Sequence, residues 1–239
     1  MYFKCRLSMQ SPGRYMPLMK TLLFISLLSI LVSCNDSVGI DRINIPPEKS
    51  QILKIKLADS LGNVIITLPQ RYDTSFSWTD FSDCGKPCDK IKYRSQPKTL
   101  RVTKETGWIW KGEPKDSIER FTISHSGYFQ FHDSTDSIDI ARDLEWRKGY
   151  IENEEPGHYK AKFGTVEKIG NRYFAILVVD QYDSLKNQYC KRLLATTSIK
   201  SNMIFFDFEL LTKENDSLTK HFIDISKYYL RTASIDNGM

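Results

Sequence analysis

The side chains with the widest chemistry in this 239-residue chain are five cysteines and four histidines, and spacing narrows what they can do. Cys84 and Cys88 lie in Asp83-Cys84-Gly85-Lys86-Pro87-Cys88, where glycine and proline specify a loop. A turn of this length brings two Cα atoms within the ~4.4–6.8 Å that a disulfide spans. Closing so short a ring shapes the loop more than it stabilises the domain. Reduced, the same pair offers two soft thiolates suited to copper(I), and a bridge from either cysteine to Cys190 is the other pairing open to it. A metal would recruit histidine, and four are present: His125, His132, His158 and His221. If Ser126-Gly127 is a two-residue turn, His125 and His132 stand ~13–14 Å apart at ~3.4 Å per residue, too far to share an ion. No metal ligand and no cofactor are expected.

Other candidate constellations have plainer readings. Asp139 and Asp143 lie at i and i+4 on a helical stretch, but Arg142, Arg147 and Lys148 beside them describe a solvated charged face. Trp108-Ile109-Trp110, between Gly107 and Gly112, puts two indoles on one face of an extended segment. Buried, they fill core; exposed, they could stack on a sugar or anchor a protein partner. The chain has no GxSxG elbow, HExxH, glycine-rich phosphate loop or dinucleotide fingerprint. No catalytic residue is assigned, and an enzyme, such as a hydrolase, would need a site that motifs do not show.

The N-terminus carries a different chemistry. Thr21 to Ser33 is an uncharged, mostly apolar run behind Lys20, too short to span a ~30 Å hydrocarbon core. Ending in Leu31-Val32-Ser33-Cys34, it resembles the signal peptide and lipobox of bacterial lipoproteins. The resemblance implies that residues 1–33 are removed and that Cys34 is the lipidation site, carrying acyl chains such as palmitate. At ~0.8 kcal/mol per buried methylene, several chains hold a protein on a membrane where one myristoyl barely does. Met16 or Met19 would open a tighter signal than Met1. In that family an Asp directly after the cysteine can retain the protein at the inner membrane; here Asn35 stands there and Asp36 follows, which points to the outer membrane and leaves the leaflet open.

Residues 34–50 read as a tether, polar and stiffened by Pro46-Pro47. Seven of eighteen aspartates precede serine in Asp-Ser-apolar or Asp-Ser-Thr triplets, at Asp36, Asp59, Asp116, Asp133, Asp136, Asp183 and Asp216. The triplet is similar to an O-glycosylation signal of one group of Gram-negative bacteria, which would make Ser37 a glycan site. Asp-Ser is also good turn and helix-cap chemistry. The CxxxC loop is similar to the metal loop of SCO-type copper chaperones, although thioredoxin-like spacing is CxxC and no βαβ pattern surrounds this loop.

The elements that must position these groups follow from periodicity. The chain is 41% hydrophobic and 26% charged, the balance of a globular protein. Its formal charge of +5 is concentrated before Cys34, where four of the cations and none of the acids lie. The near-neutral remainder lacks a nucleic-acid footprint. Alternation predicts a hairpin of 53–57 and 64–68, strands at 91–95 and 100–104, a second hairpin of 119–124 and 128–132 about Ser126-Gly127, and strands at 161–169, 172–180, 188–199 and 203–212. Tyr173 to Val179 is apolar on both faces, as a central strand covered from each side would be.

Helices are predicted behind Asp136, from Ser137 to about Lys148 with Gly149 as the stop, and behind Asp216, from Ser217 to about Leu230. Residues 51–235 therefore form a single α+β domain, a mostly antiparallel sheet flanked by helices. The order of elements is similar to the PsbP-like fold, a resemblance of architecture that licenses no activity.

These readings describe a membrane-anchored envelope lipoprotein with a non-catalytic binding or accessory domain, its protein or small-molecule ligand unnamed. The alternative is an envelope redox or copper-handling protein built on Cys84 and Cys88. The anchor is directly testable: Cys34→Ala should move the protein from the membrane to the soluble fraction after lysis, and retention in the membrane pellet would show that Cys34 carries no lipid.

Overall fold

The computed structural model describes residues 49–104, 117–130, 137–153 and 159–236, all within the unit Ile45–Met239. Cys34, Ser37, most of the tether, Trp108, Trp110, Asp136, His132 and His158 lie outside the described residues.

Alternating apolar residues build two antiparallel sheets. Strands β1 (Ser50–Leu57) and β2 (Gly62–Pro69) form the predicted opening hairpin. Its turn places both Asp59 and Ser60 at φ 55°, and Leu61 N donates to Ala58 O at 3.2 Å. Two positive φ values match the right-handed twist of a hairpin, and Asp tolerates that region better than most residues. The short β10 (Ser234–Asp236) adds to β2, giving the order β1-β2-β10.

The larger sheet comprises β3 (Thr74–Asp80), β4 (Lys90–Gln96), β5 (Ile118–Gln130), β6 (Ala161–Ile169), β7 (Arg172–Asp183), β8 (Gln188–Ile199) and β9 (Asn202–Thr212). Its order is β3-β4-β5-β9-β8-β7-β6, and every pairing is antiparallel.

One face of the seven-stranded sheet is aromatic and fully buried. Phe121 lies 4.5 Å from Phe208 between ring centroids, and Phe174 meets Phe206 edge-on at 5.6 Å. Val64, Ile66 and Leu68 of β2 close over this layer with Phe222, Tyr229 and Leu230 of helix α2 (Ser217–Arg231). That helix begins as predicted, with Asp216 accepting from Thr219 N at 2.8 Å. On the opposite face helix α1 (Ser137–Asn153) lays Ile140, Leu144 and Ile151 on Ala175, Leu177, Val179 and Leu194.

Several elements differ from the sequence pattern. The helix α1 runs through Gly149, because Ile151 beyond it is buried and packing carries the helix past a weak residue. The proposed hairpin about Ser126-Gly127 is one continuous strand, β5, held by β4 on one side and β9 on the other. A register shift between His125 and Gln130 marks the irregular stretch that contains the glycine. The geometry that set His125 apart from His132 is thus absent. Residues 100–104 form no strand; Leu100 O and Arg101 O accept from Gln96 Nε2, and Thr103 O accepts from Arg94 Nη1. The strand β7, though covered on both faces, is second from the edge rather than central.

His125 is 1% exposed under the hairpin, stacked on Tyr93 at 6.0 Å, and its Nε2 has no hydrogen-bond partner among the described residues. Burial lowers its pKa, with Asp59 opposing. A buried base with a lowered pKa takes its proton more readily when unfolded. Stability should therefore fall as pH drops below ~6.5, the unfolded value, toward the lower folded pKa. Denaturant unfolding between pH 7 and 5 should show a shallower loss in His125→Phe than in the native protein; equal slopes would mean that other groups carry the effect.

Candidate functional site

The ladder that buries aromatics on one face of the sheet necessarily gathers their polar neighbours on the other. Pairing sets Lys92 opposite Ser124 and Ser124 opposite Phe205. It sets Arg94 opposite Thr122, Thr122 opposite Asp207, and Asp207 opposite Leu194. Glu209 lies between Arg120 and Arg192. The helix α1 covers β6 and β7 but leaves this part of the sheet open, so a groove of about 490 Å³ remains. That volume falls within the ~300–1,000 Å³ of small-molecule sites.

Cations dominate the groove. Lys90, Lys92 and Arg94 rise from β4, Arg120 from β5, Arg192 from β8 and Arg147 from α1, and Asp207 is the one carboxylate among the lining residues. Thr122 and Ser124 supply hydroxyls to the floor. Fixed contacts hold several of the cations. Arg192 pairs with Asp207 at 2.8 Å, Arg120 with Glu209 at 2.7 Å, and Lys92 with Asp80 at 2.8 Å. Arg94 donates to Thr122 Oγ1 at 3.1 Å and lies over Trp78 at 4.7 Å. Arg147 lies over Phe205 at 4.2 Å.

The electrostatics follow from this crowding. Burial alone would raise the pKa of Asp207, but the charge and hydrogen bond of Arg192, with Arg120 and Arg147, hold it below the usual carboxylate range. Lys90 sits exposed at the groove mouth, yet its ammonium is crowded enough that desolvation, then Lys92, lower its pKa against the pull of Asp80. On the wall, Trp146 and Tyr150 stack at 5.7 Å and 18° while remaining 56% and 47% exposed. Their open ring faces are the apolar part of the groove rim.

Asp143, expected on a solvated face, is instead 3% exposed on the buried side of α1, 3.8 Å from Arg147. Desolvation raises its pKa, and Arg147 opposes. The helix is rotated so that its apolar face meets β6 and β7, and that rotation carries Asp143 inward beside Ile140 and Leu144.

The loop cysteines are brought together: Cys84 and Cys88 have Cα atoms 5.8 Å apart, within disulfide range, in an exposed turn that includes a short 3-10 segment, Lys86–Cys88. Cys190 is a buried free thiol on β8, its pKa pushed up to about 12 by burial, and it does not bridge to the loop. Among the described residues no three His, Cys, Asp or Glu side chains converge as a metal site. Three Asp-Ser pairs fall on described residues. Asp59 shapes the hairpin turn, Asp183 accepts from Leu185 N and Lys186 N, and Asp216 caps α2, so all three serve as turn or cap.

A second hollow of about 430 Å³ lies near the start of α2. Most of its charged groups are engaged structurally: Arg71 pairs with Glu119, Asp73 accepts from Lys98 N, and Asp216 caps the helix.

No family model and no curated protein matches the chain. The fold is weakly similar to that of solved structures. Cyanobacterial PsbP (CyanoP) from Synechocystis is 10% identical over 80% of this chain and 96% of its own, with a TM-score of 0.47. LpqN of Mycobacterium tuberculosis, described as involved in cell envelope biogenesis, is 12% identical over 79% and 92%, with a TM-score of 0.36. A Pseudomonas aeruginosa protein of unknown function, a putative regulator by its description, is 11% identical over 76% and 95%, with a TM-score of 0.33.

The groove's ion pairs and its rim should separate by mutation. Asp207→Asn removes the carboxylate that pairs with Arg192 at 2.8 Å and should cost about 2–4 kcal/mol, less than a fully buried pair because part of the carboxylate meets groove water. Trp146→Ala should change stability by under about 1 kcal/mol, as for surface substitutions. Urea unfolding of both variants checks this, and a Trp146→Ala loss as large as that of Asp207→Asn would make the rim a structural element.

Proposed function

We propose that this chain is an envelope lipoprotein whose α+β domain is a non-catalytic binding module for a small anionic ligand, held in the cationic groove of the large sheet. The observation that carries the reading is the groove itself: six cationic side chains line it with one carboxylate, five of them on the inner strands of a sheet whose other face is solid core and the sixth, Arg147, on α1. Fixed cations in a partly desolvated cleft attract anions far more strongly than the same charges on an open surface.

Binding is favoured over catalysis by the kinds of residue present. The lining holds no cysteine or histidine, its hydroxyls belong to Thr122, Ser124 and Tyr150, and Asp207 is held ionised by three arginines. None of these is a nucleophile beside a base of intermediate pKa. The acyl chains on Cys34 would hold the module at the membrane, with the outer membrane favoured by Asn35 and the 34–50 tether as spacer. Ser37 in that tether is the proposed glycan position. Among the described residues no helix is long and apolar enough to cross a membrane.

The test is thermal unfolding of the full chain with phosphate or citrate against sodium chloride of equal ionic strength. A bound anion stabilises by RT ln(1 + [L]/Kd), so millimolar anion should raise the Tm, and the double variant Lys90→Gln, Lys92→Gln should lose most of the rise. The anion should be recovered unchanged. An undiminished rise in the variant would place the anion elsewhere, and conversion of the ligand would make the protein an enzyme.

A further inference from the structure

The groove is not uniformly positive, and its internal order restricts the anion it can hold. Its surplus of positive charge lies at the β4 end. There Lys90, Lys92, Arg94 and Arg147 stand against two acids, Asp80, which pairs with Lys92 at 2.8 Å, and Asp143, 3.8 Å from Arg147. Further in, the charge is balanced: Arg192 meets Asp207 and Arg120 meets Glu209. Between these regions lie Thr122 and Ser124.

A ligand with charges along its whole length, such as a polyphosphate or a nucleic-acid backbone, would set negative groups against Asp207. One whose charge is confined to one end meets no such repulsion. Asp207, kept ionised, can only accept hydrogen bonds, so the body of the ligand must donate them. Hydroxyl groups do so without charge.

The rim adds the last restriction. Trp146 and Tyr150 form a stacked pair on the wall of α1 above this floor, and both are about half exposed. An exposed indole face suits the C–H face of a pyranose, which is apolar while its edge is hydroxylated. The floor extends across β4, β5, β9 and β8, ~14 Å at ~4.8 Å per strand, enough for one or two sugar rings.

We propose that the groove binds an acidic sugar: a pyranose bearing one carboxylate or phosphate, with the anionic group among Lys90, Lys92 and Arg147, the hydroxyls over Thr122, Ser124 and Asp207, and a ring face on Trp146. This rests on the groove being the ligand site.

Saturation-transfer NMR of the full-length protein in detergent micelles tests it with methyl β-glucuronide, glucose 6-phosphate, methyl glucopyranoside and inorganic phosphate. The two acidic sugars should receive saturation at their ring C–H protons and bind at least ten-fold more tightly than the neutral glycoside. Inorganic phosphate should displace them weakly. Lys90→Gln should weaken both acidic sugars while leaving the neutral one unchanged, and Trp146→Ala should weaken them about five-fold; both substitutions are at exposed positions, so each variant is expected to fold.

Preference for glucuronide or for glucose 6-phosphate identifies the anionic group, and either supports the inference. Inorganic phosphate binding as tightly as glucose 6-phosphate, with no effect of Trp146→Ala, would overturn the sugar while the anion-binding groove stands. Tighter binding of the neutral glycoside would also overturn it. Failure of every probe, together with no anion-dependent rise in Tm, would overturn the groove as a ligand site altogether.

Discussion

The register between β5 and β9 is the constraint on which the rest of the molecule depends. It sets Phe121 against Phe208 and Ile123 against Phe206 on one face, and Arg120 against Glu209 on the other. Side chains alternate with a period of two, so a slip of one residue would drive Arg120 into the aromatic core and expose Phe121. The cost is prohibitive in both directions, since a buried unpaired guanidinium and a lost Phe side chain each forfeit several kcal/mol. Both neighbours of the pair inherit the same register, β4 through Arg94 opposite Thr122 and β8 through Arg192 opposite Glu209. The groove and the core are therefore two consequences of one alignment.

The polar face can remain inside the structure because its charges are organised rather than dispersed. Arg192 and Asp207, Arg120 and Glu209, and Lys92 and Asp80 each satisfy one another within a ladder that already fixes their backbones, so little side-chain freedom remains to be lost. Buried pairs of this kind seldom add net stability over apolar replacements. Hydrophobic side chains at these positions would have served the fold as well and let α1 close over the whole face. Instead α1 covers β6 and β7 with Ile140, Leu144 and Ile151, and stands back from β4 and β5. The polar face left open by α1 is what makes room for the groove.

How much of this was legible in the sequence depended on whether a signal was local. The opening hairpin, the four later strands and the capped helix α2 were visible because alternation, turn residues and Asp216 each act within a few positions. The strand β3 was missed because Ser75, Ser77 and Thr79 alternate with only two aromatics, a weak pattern that pairing with β4 makes regular. Ser126-Gly127 looked like a turn, yet two neighbouring strands offered more hydrogen bonds to an extended chain than a hairpin would. Gly149 looked like a stop, yet Ile151 had a place to bury. Asp143 was misplaced because the face a helix buries is set by its neighbours. The groove was invisible for the same reason: Lys90 to Arg94, Arg120 to Ser124, Arg192 and Asp207 meet only through the ladder, and Trp146 to Ile151 join them only through the packing of α1. A usable trace existed in the cations at alternate positions of β4, where solvent exposure was the easier reading.

The cysteine loop takes a different place in this account from the one its spacing first suggested. Cys84 and Cys88 lie in the connection from β3 to β4, directly before Lys90, so the shape of the loop determines where β4 begins. Hydrogen bonds already close that loop: Ser82 N donates to Asp89 Oδ1 at 2.8 Å, Gly85 N to Ser82 O at 3.0 Å and Cys88 N to Gly85 O at 2.9 Å. Gly85 is at φ 83°, a conformation that side chains disfavour, which accounts for the residue chosen there. A covalent link across so short a span would remove little further freedom from the unfolded chain. Its effect would be felt locally, in holding the mouth of the groove where Lys90 stands. The loop thus fixes the start of β4, the end of the groove at which Lys90 stands.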